Sequence, residues 1–229
     1  MSSNTDPTPM LVRFYDPIIR APDPDGRTLS SILALPDIEL EYCHDYIQLL
    51  FPLPEPSTFH PSAPIIDKAT FLAFRSRPDL QAQLTTSLTR MLHFYGFEIS
   101  SPSPPASTNT TSTITILPSP AFPRASRTWL RRFNHNHLRI TRIIRSLRVL
   151  GLSAHAAALF SALSAVYDGG RSGVGSRSMM FWTRAAERPL YMAPEEDDDE
   201  GRRRGFLYEF EFEAGREGRG EGDDTAAAA

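Results

Sequence analysis

The chain has 229 residues, 41% of them hydrophobic, and a formal net charge of −3, which suits one domain with tails and no strong bias toward a polyanion or polycation. Its single cysteine excludes an internal disulfide framework and fits a reducing, intracellular compartment. The start MSSNTDPTPM is polar and proline-broken, unlike a secretory signal, and no run of about twenty apolar residues predicts a transmembrane span.

Residues 1–10 read as a disordered N-terminus, and a domain is expected over 11–190. Residues 11–37 read mostly as turn and extended chain, because APDPDG blocks helix. A short helix at TLSSILAL stops at Pro36. The first long helix is expected from Asp37 to Phe51, with Asp37 as N-cap and Leu40, Cys43, Ile47, Leu50 and Phe51 as its apolar stripe. Prolines 52, 54 and 56 end it. Asp67 caps a second helix carrying Phe71, Leu72 and Phe74. A third starts at Pro78, runs through Leu80, Leu84, Leu88, Met91 and Leu92, and stops at Gly96. Residues 100–125, rich in Ser, Thr and Pro, read as a low-complexity insertion, with TSTITIL a short strand lacking an obvious partner. Helical pattern returns near Ser126, breaks at NHN, and resumes over 136–150, with Asn134 or Asn136 as N-cap. SAHAAALFSALSAVY and SRSMMFWTRAAER give two more helices. GGRSGVGS, 169–176, reads as a flexible turn, having no preceding strand or lysine to make a phosphate loop. Residues 191–229 form a charged, glycine-rich tail expected to be disordered; FLYEFEFE within it alternates like a strand that could not stand alone. The fold class is therefore all-α, a single bundle-like domain with a disordered Ser/Pro/Thr loop and tail.

Two stretches carry polar chemistry. In EYCHDYIQLLFPLPEP, adjacent helical positions point about 100° apart, so Cys43 and His44 do not form a thiolate–imidazole pair. Cys43 reads as a small hydrophobe on the apolar stripe, and one cysteine gives zinc no ligand set. On the other face Glu41 and Asp45 share one side, with Tyr42 and Tyr46 beside them, a seat for a cation or amine, or else a solvated rim. In NHNHLRITRIIRSLRVLG, Ile140, Ile143, Ile144, Leu147 and Leu150 fall in one sector. Arg139, Arg142, Arg145 and Arg148 spread over the opposite half, fanning outward. Arg124, Arg127, Arg131 and Arg132 precede them, and no acidic residue lies between Arg124 and Gly151. Three readings of that basic face stand. It is solvated or paired with EEDDDE at 195–200; it meets phosphate, in nucleic acid or at an anionic membrane surface; or it holds an acidic protein or peptide carboxylate. Arginine supplies all the basic residues except Lys68, a bias that composition alone explains. No nucleotide-binding, metalloprotease or nucleophile-elbow motif occurs. No enzyme, cofactor or metal is expected.

HDYIQLLFPLPEPS (44–57), APIIDKATFLAFRSRPDLQAQL (63–84), RMLHFYGF (90–97) and NHNHLRITRIIRSLRVLGL (134–152), in that order and spacing, resemble the conserved domain of the opioid growth factor receptor family. The likeness spans 13–152 and continues more weakly through MMFWTRAAERPL. The motif positions include His44, Tyr46, Ile47, Gln48, Phe51, Pro52, Asn136, His137 and Arg139. Leu49 stands where an aromatic usually follows YIQ, and the stretch between Trp129 and Asn134 is compressed. The resemblance implies a helical, non-enzymatic receptor for an enkephalin-type pentapeptide, residing in the nucleus or at the nuclear membrane, with cytoplasm as the other location. For such a peptide, Glu41 or Asp45 would take the amine, Tyr42 and Tyr46 the aromatic ring, and Arg139 or Arg142, with Arg145 and Arg148 beside them, the carboxylate. The alternative is an adaptor for nucleic acid or an anionic surface, using the arginine helix 136–150.

Overall fold

A computed structural model of the chain describes residues 8–57, 60–100, 114–167, 173–197 and 205–212. The disorder expected for most of the N-terminus, for half of the insertion and for most of the tail falls on residues outside that set, as does the first half of GGRSGVGS.

The protein is mostly helical. In chain order the elements are α1 (Met10–Tyr15), α2 (Leu29–Leu33), α3 (Asp37–Tyr42), α4 (Tyr46–Leu50), α5 (Lys68–Ser76), α6 (Pro78–Tyr95), β1 (Phe97–Ser100), β2 (Thr115–Pro118), α7 (Phe122–Trp129), α8 (Asn136–Val149), α9 (Ser153–Val166) and α10 (Ser176–Glu187). A last helix, α11, covers 206–212. No helix among the described residues is long and apolar enough to cross a membrane.

Local chemistry sets several boundaries as expected. Thr28 and Ser31 form a reciprocal capping box at the start of α2. The Asp67 carboxylate accepts from the Thr70 amide and starts α5, a cap worth about 1 kcal/mol. Pro78 begins α6, and Gly96 ends it at φ +87°. A Cβ there would lie 2.8 Å from the Phe122 backbone, so glycine also lets α7 approach.

Five expectations are corrected. Residues 11–37 are mostly turn and extended chain as expected, except that LVRFY is helix: it completes α1, whose Leu11, Val12, Phe14 and Tyr15 are all buried. The strand in TSTITIL has a partner, FEIS at 97–100, paired antiparallel from Phe97↔Pro118 to Ser100↔Thr115. Its Ile116 is buried, so this end of the insertion belongs to the core. α7 starts at Phe122, four residues before the expected return of helix. The helix over 37–51 is two helices separated by Cys43–Asp45. Finally, residues 206–212 are neither strand nor loose tail but helix packed on α5.

One continuous core joins these elements. α8 runs through it, flanked by α9 and α10. Ile140, Ile143, Ile144, Leu147 and Leu150 are buried as the pattern predicts. The opposite half of α8 is covered by the chain between residues 40 and 55, and that packing creates the site described next.

Candidate functional site

The break between α3 and α4 leaves the carbonyls of α3's last turn without intrahelical donors. Arg139 of α8 supplies them. Its guanidinium donates to the carbonyls of Leu40 (2.9 Å), Glu41 (3.3 Å) and Cys43 (2.6 Å), and to Asn136 Oδ1 (3.1 Å). It also donates to His44 Nδ1 at 3.0 Å, which fixes that nitrogen as an acceptor. The same guanidinium lies 5.4 Å from the centre of the Tyr46 ring. A residue 99 positions away thus acts as the C-terminal cap of α3. With its amide nitrogen turned inward, Gln48 donates to the carbonyls of His44 (2.9 Å) and Asp45 (2.7 Å), completing the turn.

The other arginines of α8 continue along the same segment. Arg142 donates to the Phe51 carbonyl (3.3 Å), and Arg145 is ion-paired with Glu55. A step of three residues turns a helix by about 300°, so the series drifts around the axis. Arg148 accordingly faces the end of α10, donating to the carbonyls of Ala185 (2.9 Å) and Arg188 (2.8 Å). The expected outward fan is therefore wrong: Arg139 is 5% exposed and Arg145 1%, with Arg142 and Arg148 half-buried. Guanidinium groups remain charged when buried, and here backbone carbonyls replace the water they lose. Burial nevertheless pushes the Arg142 and Arg148 pKa values down.

The acid–aromatic face also comes out differently. With the helix broken at Cys43 (ψ 138°), residues four apart no longer align. Tyr42 is 74% exposed, whereas Tyr46 is fully buried over Met91, its hydroxyl pushed up to about 12 by burial. Cys43 is exposed, not part of an apolar stripe. Asp45 ion-pairs with Arg27 (2.6 Å); burial works against its charge, but the Arg27 hydrogen bond holds its pKa below the usual carboxylate range. Arg27 also bonds Asp23 (2.8 Å). Ile47, Phe51 and Pro52 are core residues.

What remains accessible is a rim beside the clasp. Glu41 accepts from Asn136 Nδ2 (3.0 Å) and lies 3.4 Å from His135 Nε2. The His44 and His135 rings meet edge-on at 5.2 Å. Burial, and then the Arg139 charge, hold the His135 pKa below its ordinary value. His137 points inward instead, between Ser178 Oγ (2.8 Å) and the Trp129 carbonyl (2.8 Å). The carbonyl requires a donor, so Nε2 carries the proton and Nδ1 accepts from Ser178. Burial lowers the His137 pKa as well. Neither asparagine is the expected N-cap of α8: His135 holds that position with no side-chain cap, and Asn134 Oδ1 accepts from the Asn136 amide (2.8 Å) in the turn before it. Among the described residues no group of three His, Cys, Asp or Glu is placed to hold a metal ion.

Sequence reasoning missed several members of this region. Ser178, Trp129 and Trp182 orient His137, Trp182 Nε1 donating to its carbonyl at 3.0 Å. Phe133 is 98% exposed at φ +56°, a conformation costing a bulky residue roughly 1–3 kcal/mol. Its sequence signal is a lone aromatic in the polar run RRFNHN between two helices. Arg124, Arg127, Arg131 and Arg132 around it are all exposed.

The clasp joins two motifs of the chain, the segment through YIQLLFP and the segment through HNHLRITRI. Residues 9–182 match the family described as the opioid growth factor receptor conserved region. The opioid growth factor receptor of Rattus norvegicus is 36% identical over 121 residues, 52% of this chain and 19% of that protein. That of Homo sapiens is 34% identical over 113 residues, 49% of this chain and 15% of that protein. The matched stretch thus spans less than a fifth of these relatives' length. No solved structure matches the chain. With the family match covering most of its length, the chain belongs to the opioid growth factor receptor family through that conserved region.

Proposed function

We propose that this domain is a non-enzymatic, receptor-like binding protein for a short peptide, received at the rim formed by Glu41, Tyr42, His44 and His135. The observation that carries the reading is Tyr42, an exposed aromatic next in the chain to a carboxylate that accepts from an amide and lies 3.4 Å from an imidazole nitrogen. A ligand ammonium would meet Glu41, and a ligand ring would lie on Tyr42. Arg139 takes no ligand carboxylate in this scheme, because its donors hold the α3–α4 break. The relatives' printed name, opioid growth factor receptor, makes an enkephalin-type pentapeptide the natural probe. Residence in the nucleus or at the nuclear membrane is part of the same proposal, tested by imaging a tagged chain.

Calorimetry should show micromolar binding of that peptide, weakened about tenfold by Glu41→Gln or Tyr42→Ala. No heat at high micromolar peptide, or equal affinity in both variants, sinks the idea.

A second reading is favoured by Phe133 and its four exposed arginines. An anionic partner, whether nucleic acid, anionic membrane or acidic protein, would then dock on α7 and the turn after it. The arginines of α8, the helix expected to serve that role, are committed to backbone carbonyls and to Glu55. Affinity for single-stranded nucleic acid should fall with salt at a slope of about −0.7 per neutralised phosphate. Absent or salt-insensitive binding would remove this reading.

A further inference from the structure

The α11 helix shows what its seat accepts. Phe206 and Phe210, one turn apart, pack on Phe71 of α5 with ring centres at 5.4 and 5.0 Å. The Arg75 guanidinium lies 4.5 Å over the Phe210 ring. It also donates to the Arg148 and Val149 carbonyls (3.2 and 3.3 Å), so α8 sets its position. Glu209 pairs with Lys68 at 3.1 Å, and the Leu190 amide donates to Glu211 at 2.8 Å. Tyr208 meets Tyr191 edge-on at 5.1 Å. The seat is therefore apolar in the centre and basic along one wall, with the Leu190 backbone N–H at the far side receiving an acid.

Two features of α11 bear on its docking. It has seven residues, 206–212, and a helix shorter than about 12 residues is marginal on its own, so docking maintains its helicity. Further, Lys68, Phe71 and Arg75 lie inside the family-matched stretch 9–182, whereas α11 lies beyond it. The α5 wall of the groove belongs to the conserved region; the wall at 190–191 and the occupant lie beyond it.

We propose that the α5 groove is a docking site for an acidic–aromatic helix of the pattern Phe-x-x-Glu-Phe on a partner protein, and that α11 occupies it in cis. Phenylalanines four apart supply the anchors, Lys68 reads the intervening acid, and Arg75 covers the second ring. The exposed Lys68–Glu209 pair fixes register more than strength. Binding of a partner and docking of α11 exclude one another.

The test uses a labelled synthetic peptide of residues 205–213, GFLYEFEFE, titrated onto the full chain and onto a full chain carrying Phe206→Ala and Phe210→Ala. The peptide should bind the double variant at least tenfold more tightly than the native chain. Its amide shift changes should fall at 68–75 and 190–191, and the same peptide with both phenylalanines replaced by alanine should not bind. Equal affinity for the two chains, shifts elsewhere, or unimpaired binding of the alanine peptide would overturn the proposal. A second readout needs no protein variant: excess native-sequence peptide should speed hydrogen exchange at residues 206–212 of the native chain. Unchanged exchange at saturating peptide counts against it.

Discussion

Eight arginines lie between residues 124 and 148, four on each side of His135, and the two groups meet opposite fates. Arg124, Arg127, Arg131 and Arg132, on α7 and the turn after it, stand in solvent. Arg139, Arg142, Arg145 and Arg148, on α8, are drawn into the protein, where each meets a carbonyl or a carboxylate of a distant segment. The residue type is the same, and neither group has an acidic neighbour in sequence. The difference is that α8 is packed on both sides, and the chain crossing its polar half has a helix break with carbonyls to satisfy. A basic stripe on a helix thus reads as a ligand surface or as internal carpentry, depending on what crosses it.

Removing Arg139 should break the comparison most severely. Arg139→Ala frees three carbonyls, those of Leu40, Glu41 and Cys43, at a cost of roughly 3–5 kcal/mol in all. For a domain of this size that is a fall of about 10 °C in melting temperature. A loss within about one degree would mean that the clasp is incidental. The Arg145–Glu55 pair comes next. Glu55→Gln leaves a deeply buried cation short of its counter-charge and should cost about 2–4 kcal/mol. Pairing Arg145→Met with Glu55→Leu should cost less than the single change, because no charge is then stranded. A double variant weaker than the single one would refute this account of the pair.

Acid should weaken the buried side of the comparison in a defined window. His135, His137 and His155 all have folded pKa values lowered from the ordinary 6.5, burial being the first cause in each. The unfolded chain then binds protons first, so their contribution is complete above about pH 6.5 and is lost as pH falls toward the depressed values. Melting temperature should decline from about pH 7.5 to about pH 5, and His137→Gln should flatten the decline. A level profile would contradict the burial of these rings. Asp16 acts lower: the Ile19 backbone amide and Arg77 hold its carboxyl at about 2, so its share is lost only below about pH 3.8. The smallest effect belongs to the exposed group. Changing Arg124, Arg127, Arg131 and Arg132 together to glutamine should alter stability by less than about 1 kcal/mol, while ending any salt-dependent binding to polyanions. A large loss of stability there would place that surface inside the structure rather than on it.

The fold was legible where one residue type has one local use. Asp67, Pro78 and Gly96 mark the bounds of α5 and α6 because capping, a fixed φ and a left-handed stop are properties of the residue and its neighbours. The apolar seam of α8 follows from its period alone. The site was less legible. YCHDY carries a helical pattern through Asp45, and the carbonyls taken by Arg139 and Gln48, with the Asp45–Arg27 pair, hold the backbone in its break. The partner of β2 lies across a Ser/Pro/Thr insertion, and pairing over that distance leaves no local mark. α11 was misread because EFEFE alternates, yet its phenylalanines are also four apart once it meets Phe71 and Arg75.

The sequence by itself determined the helical class, most of the helix boundaries, the apolar faces and the family, since these rest on neighbours within a turn or two and on long ordered motifs. Only the tertiary structure decided which charges face water. Burying a guanidinium depends on finding enough acceptors for its donors, and the acceptors of Arg139 are carbonyls nearly a hundred residues away. Backbone carbonyls are the same in every residue, so the sequence carries no sign of which of them will be left waiting for a donor.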